Sequence, residues 1–96
     1  MILIVRVKDI KGNCPVFKGH EEFVIEGPEL RVKKGKAVCI HALPSILHFS
    51  MGLREGAKPE ELGLAKEGNK AYVRCPDPGE PYTSGGGVIF EIECLE

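Results

Sequence analysis

The sequence has no long uncharged hydrophobic run. Its first apolar stretch, residues 1–5, is interrupted by Arg6, whereas a membrane-spanning helix needs about 20 apolar residues in succession. The same stretch is too short to form the core of a secretory signal. We therefore expect a cytoplasmic protein with no membrane partner.

An excess of one charge is also missing. Lys and Arg number 13 against 14 Asp and Glu, and the formal net charge is −1. Such a balance gives no overall attraction to nucleic acid. Basic residues concentrate only at 31–36, where a solvated turn is favoured over an anion-binding patch. We expect no nucleic-acid partner.

Two short motifs that would indicate redox catalysis or phosphate binding are absent. The chain has four cysteines but no Cys-x-x-Cys pair, so no resolving thiol stands two residues from another for redox catalysis. The glycine run at 85–87 precedes a predicted strand instead of a helix and lacks the Lys-Ser/Thr of a phosphate loop. In a reducing compartment the cysteines are expected to be thiols or metal ligands before disulfides.

The hydrophobic pattern predicts one domain over residues 1–96. Apolar residues alternate at 3–8, 22–26, 30–32, 71–75 and 88–95, which is typical of half-buried strands. Between residues 37 and 56 they step by three and four, which predicts a helix that begins near Pro44 and ends at Gly56 in a left-handed cap. With hairpin-like connections, this favours an α+β fold: a mainly antiparallel sheet of four to five strands covered by one principal helix.

Three cysteines occupy positions that suit a site. Cys14 and Cys75 each precede proline where a strand gives way to a loop, which holds the residue extended and can direct its sulfur into a pocket; Cys-Pro also recurs at iron–sulfur ligands. Cys39 stands at the predicted helix start, where unpaired backbone N–H groups favour a thiolate. Together with His41 these thiols would suit zinc or an iron–sulfur cluster. Against this, the gaps between them are long, and cysteines often pack as small buried hydrophobes, as strand parity predicts for Cys94.

The loop over residues 75–87 is the second candidate feature. Three prolines stiffen its first half and three glycines free its second half, and long ordered loops are where binding residues concentrate. One interpretation is a wide hairpin connection that needs positive φ. The other is close approach of a ligand to the backbone, with candidate ligand-binding residues Asp77, Tyr82, Thr83, Gly85 and Gly86.

At these segments the chain resembles a family of short, uncharacterised bacterial and archaeal proteins of roughly this length. The resemblance covers nearly the whole chain, departs from the family pattern at Pro44, and implies a shared site at Cys14, Cys39 and Cys75 but not at Cys94. It implies no substrate, cofactor or reaction. The residues that carry it are Cys14-Pro15 with Gly19 and Phe23, Cys39-Ile40-His41-Ala42-Leu43 with Met51 and Gly52, Cys75-Pro76-Asp77-Pro78-Gly79 with Pro81-Tyr82-Thr83, and Val88-Ile89-Phe90-Glu91-Ile92.

Three functional hypotheses follow from the sequence. The leading one is a small binding module whose thiols hold a metal ion or cluster, or recognise a small ligand. The second is a cysteine-dependent enzyme with His41 as base and glycine-loop amides as the oxyanion site. The third is a structural or interaction domain in which sheet edges pair into a homo-oligomer and the cysteines only pack.

Overall fold

The computed structural model describes residues 2–95, which form one sheet and one helix. All neighbouring strands are antiparallel, and the sheet order is β3-β2-β1-β5-β4. This confirms the predicted α+β class, with five strands. The elements are β1 (Ile2–Gly12), β2 (Glu22–Glu26), β3 (Glu29–Val32), α1 (Leu43–Arg54), β4 (Lys70–Arg74) and β5 (Gly86–Leu95).

The two longest strands, β1 and β5, pair at the centre of the sheet. Their inward residues meet across the strands, as at Val5 opposite Ile92 and Val7 opposite Phe90, and these four side chains are buried. The register shifts between Val7 and Asp9, because an extra residue bulges out of β1 there. The bulge lets β1 continue to Gly12, four residues beyond the alternation that predicted the strand.

Helix α1 covers the apolar face of the sheet. Ile46 and Leu53 are buried against the strands, in agreement with the three-and-four spacing. Pro44 lies in the first turn, where its missing N–H costs nothing. Beyond the C-cap residue Glu55, Gly56 has a φ of 95°, which confirms the left-handed cap.

The opposite face of the sheet carries a charged network centred on Glu91. Parity predicts this residue to face outward, and it does, yet it is only 4% exposed. The Tyr72 hydroxyl donates to its carboxylate at 3.1 Å, and Arg6 and Lys8 approach within 3.4 and 3.5 Å. Burial alone would raise the pKa of Glu91, but Tyr72, Lys70 and Lys8 together lower it below its usual value.

Candidate functional site

Three of the four cysteines line one recess of about 340 Å³, named here the cysteine pocket. Cys14 follows β1, Cys39 precedes α1 and Cys75 follows β4. The structure therefore brings together the three thiols that the sequence singled out, and His41 with them. The pocket is lined by Cys14, Pro15, Phe17, Cys39, His41, Ala42, Cys75, Pro76, Asp77, Gly86 and Val88.

The order of the strands explains this convergence. Strands β1 and β4 are both antiparallel to β5, one on each side of it. They therefore run in the same direction, and both finish at the end of the sheet where β5 begins. Cys14 and Cys75 come just after those two ends, so the fold places them on either side of Gly86.

Cys75 is the most buried of the three thiols, at 8% exposure. Its Sγ accepts a hydrogen bond from the backbone N–H of Val88 at 3.3 Å, and the thiol can donate to the Gly86 carbonyl at 3.6 Å. The backbone N–H of Cys75 also donates to the Val88 carbonyl at 3.0 Å. The sulfur is thus held in a fixed position against β5.

Cys14 is held in a similar way by the loop that follows it. Its Sγ accepts a hydrogen bond from the backbone N–H of Phe17 at 3.3 Å. Phe17 is buried and packs edge-on against Phe90, with ring centroids 5.3 Å apart. Packing in the core therefore fixes the donor, and the donor orients the half-buried sulfur.

Cys39 and His41 reach the pocket from the turn before α1. Cys39 is half-buried and His41 is exposed. The N–H groups of Ala42 and Leu43 both donate to the Cys39 carbonyl, at 3.2 and 3.1 Å. The prediction that unpaired N–H groups of the helix start lie beside this thiol is therefore wrong at these two residues, because the chain's own carbonyl takes them.

Asp77 braces the proline-rich part of the loop. Its Oδ1 accepts hydrogen bonds from the Gly79 backbone N–H at 2.9 Å and from the Thr83 hydroxyl. These two bonds, with the charge of Arg74, hold the pKa of Asp77 below its usual value. The carboxylate lines the cysteine pocket but already has partners within the loop.

The other predicted ligand-binding residues are divided between several places. Gly86 lines the cysteine pocket, whereas Gly85 lines an adjoining recess of about 380 Å³. Thr83 lies in the loop as the partner of Asp77. Tyr82 is 81% exposed and lines neither recess.

Close packing, not backbone conformation, requires glycine at 85 and 86. The loop does join the consecutive antiparallel strands β4 and β5, as the hairpin interpretation predicts. None of Gly85, Gly86 and Gly87 has a positive φ, so the predicted need for positive φ in the glycine run is wrong. A Cβ on Gly85 would overlap the Asp77 carboxylate, and one on Gly86 would overlap the Lys11 carbonyl and lie 2.8 Å from the Asn13 nitrogen. Side-chain-free backbone therefore forms this end of the pocket.

Arg74 is a positioning residue that sequence reasoning missed. Its Nε donates to the Cys75 carbonyl at 3.1 Å and its Nη2 to the Asp77 carbonyl at 3.0 Å. These bonds tie the start of the loop to the end of β4. No sequence signal marks this role, because Arg74 has the pattern of an ordinary solvent-facing strand residue.

The described residues form no ready-made metal site, and no related protein matches the chain. Within residues 2–95, no three His, Cys, Asp or Glu side chains are arranged so that they could hold a metal ion. No helix in this part of the chain is long and apolar enough to cross a membrane. No protein-family model matches the sequence, and neither curated proteins nor solved structures give a significant match.

Proposed function

We propose that this protein is a small binding module in which the cysteine pocket holds one small ligand at its three thiols. The observation that carries the proposal is the convergence of Cys14, Cys39 and Cys75, far apart in the chain, on a single recess. Burial of unrelated cysteines in a core would not require them to share a pocket.

The walls of the pocket define the chemistry of the ligand. Phe17, Ala42 and Val88 supply apolar surface, while the sulfurs are soft, polarisable groups. His41 and Asp77 supply the polar atoms. A volume of about 340 Å³ is at the small end of the range of ligand sites. The ligand that fits best is a small molecule with an apolar body and a soft or electrophilic centre directed at the thiols.

A second candidate is a soft metal ion or an iron–sulfur cluster bound by the same cysteines with His41. Backbone N–H groups donate to the sulfurs of Cys14 and Cys75 at 3.3 Å, and such bonds surround metal-bound thiolates and tune them. Because the described residues are not already arranged as a metal site, binding would have to draw the thiols into a new geometry.

Protein purified without air tests both candidates. Native mass spectrometry would reveal a co-purified small molecule, while elemental analysis and a visible spectrum would reveal zinc or an iron–sulfur cluster. We expect the bound species to be lost in Cys14→Ser, Cys39→Ser and Cys75→Ser. It should be retained in Cys94→Ser, the matched control, because Cys94 packs near the C-terminal end of α1, 3.9 Å from the Leu53 carbonyl, and does not line the pocket.

Alkylation with N-ethylmaleimide tests the shared pocket directly. One adduct should occupy much of the recess, so it should slow the reaction of the other two thiols several-fold. Protein that carries no bound species and whose three thiols react independently would overturn both candidates. A single thiol that reacts much faster than the others, together with turnover that depends on it, would instead favour the cysteine-dependent enzyme.

A further inference from the structure

A second and larger recess, wide open to solvent, lies between the first turns of α1 and the edge strand β4. Its volume is about 650 Å³, and it shares no lining residue with the cysteine pocket. We name it the edge cavity. Its apolar lining residues include Phe49, Leu64 and Ile89, and its polar ones are Ser45, His48, Tyr72 and Arg74.

This composition is that of a small-molecule site. Such sites measure about 300–1,000 Å³ and combine mostly apolar walls with a few polar groups that fix the ligand's orientation. Within residues 2–95 no hydrogen bond engages the Ser45 hydroxyl or the ring nitrogens of His48. The His48 ring packs edge-on against Phe49, with ring centroids 4.7 Å apart. Both groups are therefore able to bond a ligand.

Arg74 gives the edge cavity a positive charge. Its Nε and Nη2 donate to two backbone carbonyls, which are neutral. In the part of the chain that the structure describes, no carboxylate forms a salt bridge with Arg74. The charge of Arg74 acts on the Asp77 carboxylate beyond salt-bridge distance. A guanidinium that is already oriented and makes no salt bridge can still pair with a planar anion such as a carboxylate.

We propose that the edge cavity binds a small carboxylate with an apolar body about the size of one ring. The carboxylate pairs with Arg74, and His48 or Ser45 donates a second hydrogen bond. The apolar body packs against Phe49, Leu64 and Ile89. This site is separate from the proposed thiol site and does not depend on it.

Titration with phenylacetate, followed by the backbone amide signals in NMR spectra, tests the proposal. We expect saturable, one-to-one shifts at residues 45–49 and 72–74. Two matched probes separate the contributions: phenylacetamide keeps the ring but removes the charge, and acetate keeps the charge but removes the ring. Both should bind about tenfold more weakly or worse, as expected for loss of a charge-assisted hydrogen bond or of the apolar contact.

Variants assign the binding to named residues. Arg74→Gln should abolish the preference for phenylacetate over phenylacetamide, and Arg74→Lys should retain part of it because it keeps the charge. Arg54→Gln, in the last turn of α1, is the control and should bind as the wild type does. Cys75→Ser should also bind phenylacetate, which makes this result independent of the thiol site.

The proposal would be overturned by absence of saturable shifts around the edge cavity up to millimolar phenylacetate. Equal affinity for phenylacetamide would also overturn it, because the charge would then have no role. Circular dichroism of each variant would show whether it is folded. If Arg74→Gln were unfolded, the comparison of the three probes on the wild-type protein would still decide the outcome.

Discussion

Cys75 and Val88 are bonded to each other twice. The backbone N–H of Cys75 donates to the Val88 carbonyl at 3.0 Å, and the backbone N–H of Val88 donates to the Cys75 sulfur at 3.3 Å. Strand β4 ends at Arg74, so the thiol continues the pairing with β5 one residue beyond the strand. The same sulfur faces a pocket and supports the sheet, and its substitution should affect both properties.

Replacement of Cys75 by alanine should therefore destabilise the protein. The buried N–H of Val88 would lose its acceptor, and an unsatisfied buried donor costs about 1–3 kcal/mol. Urea unfolding of Cys75→Ala would measure the loss, with Cys94→Ala as a control at a half-buried cysteine of β5. Equal loss in the two variants would contradict a special role for the Cys75 sulfur in the pairing.

A second prediction concerns the close approach of β1 and β5. In Gly86→Ala the new Cβ would overlap the Lys11 carbonyl, and overpacking of this kind costs about 1–3 kcal/mol or more. Gly52→Ala is the matched control, because its Cβ would lie at an ordinary 3.7 Å from Leu62. Since alanine is the better helix former, Gly52→Ala should be neutral or stabilising by up to about 1 kcal/mol. Thermal unfolding of both variants would reveal the opposite signs.

The third prediction is a pH dependence at Asp77. Its pKa is lower in the folded state, through the bonds from Thr83 and Gly79. The stabilisation is therefore complete above the unfolded pKa, near 4, and is lost as the pH falls through the lower folded value. The free energy of unfolding of wild type should exceed that of Asp77→Ala at about pH 6, and the difference should shrink toward about pH 2.

Asp9→Ala provides the comparison for that measurement. Asp9 is an exposed carboxylate of β1 with no side-chain hydrogen bond among the residues that the structure describes. At about pH 6 its removal should cost less stability than removal of Asp77. A difference between wild type and Asp77→Ala that stayed constant down to about pH 2 would show that the Asp77 carboxylate does not stabilise the fold through its charge.

The fourth prediction concerns the outer face of the sheet, where the Tyr72 hydroxyl donates to Glu91. A double-mutant cycle with Tyr72→Phe and Glu91→Gln should give a coupling free energy of about 0.5–1 kcal/mol, since the two side chains are cross-strand neighbours. The pair Tyr72→Phe and Glu29→Gln should be additive, because Glu29 lies on the far edge strand β3. Coupling no larger in the first pair than in the second would contradict the network.

The spacing of apolar residues predicted most of this fold, because burial of one face of a strand or helix imposes a regular spacing on the sequence. The alternation of residues 88–92 and the spacing from Ala42 to Leu53 both follow from having one apolar face. The bulge after Val7 was not predictable, because an extra strand residue looks like a continued strand or the start of a loop. The burial of Glu91 was not predictable either, because it results from four side chains of β1 and β4 that surround its carboxylate: Arg6, Lys8, Lys70 and Tyr72.

Convergence of the thiols could be hypothesised from the sequence, but it is the order of the strands that produces it. The sequence places Cys14 and Cys75 just after predicted strands. Whether those strands finish at the same end of the sheet depends on which strands are neighbours. The roles of Asp77 and Arg74 depended on hydrogen bonds to backbone groups, which leave no periodic trace. The edge cavity had no sequence signal, because its lining comes from several separate segments.

Gly12 and Gly86 are paired where β1 ends and β5 begins, beside the cysteine pocket. A Cβ on Gly12 would lie 3.0 Å from the Gly85 oxygen, so neither strand has room for a side chain here. Gly86 therefore presents only peptide groups to the cysteine pocket, a surface that amino-acid replacement cannot readily reshape. If the pocket holds the proposed ligand, a change in ligand preference would have to arise at exposed lining positions such as Pro15, His41 and Pro76, where side chains can vary.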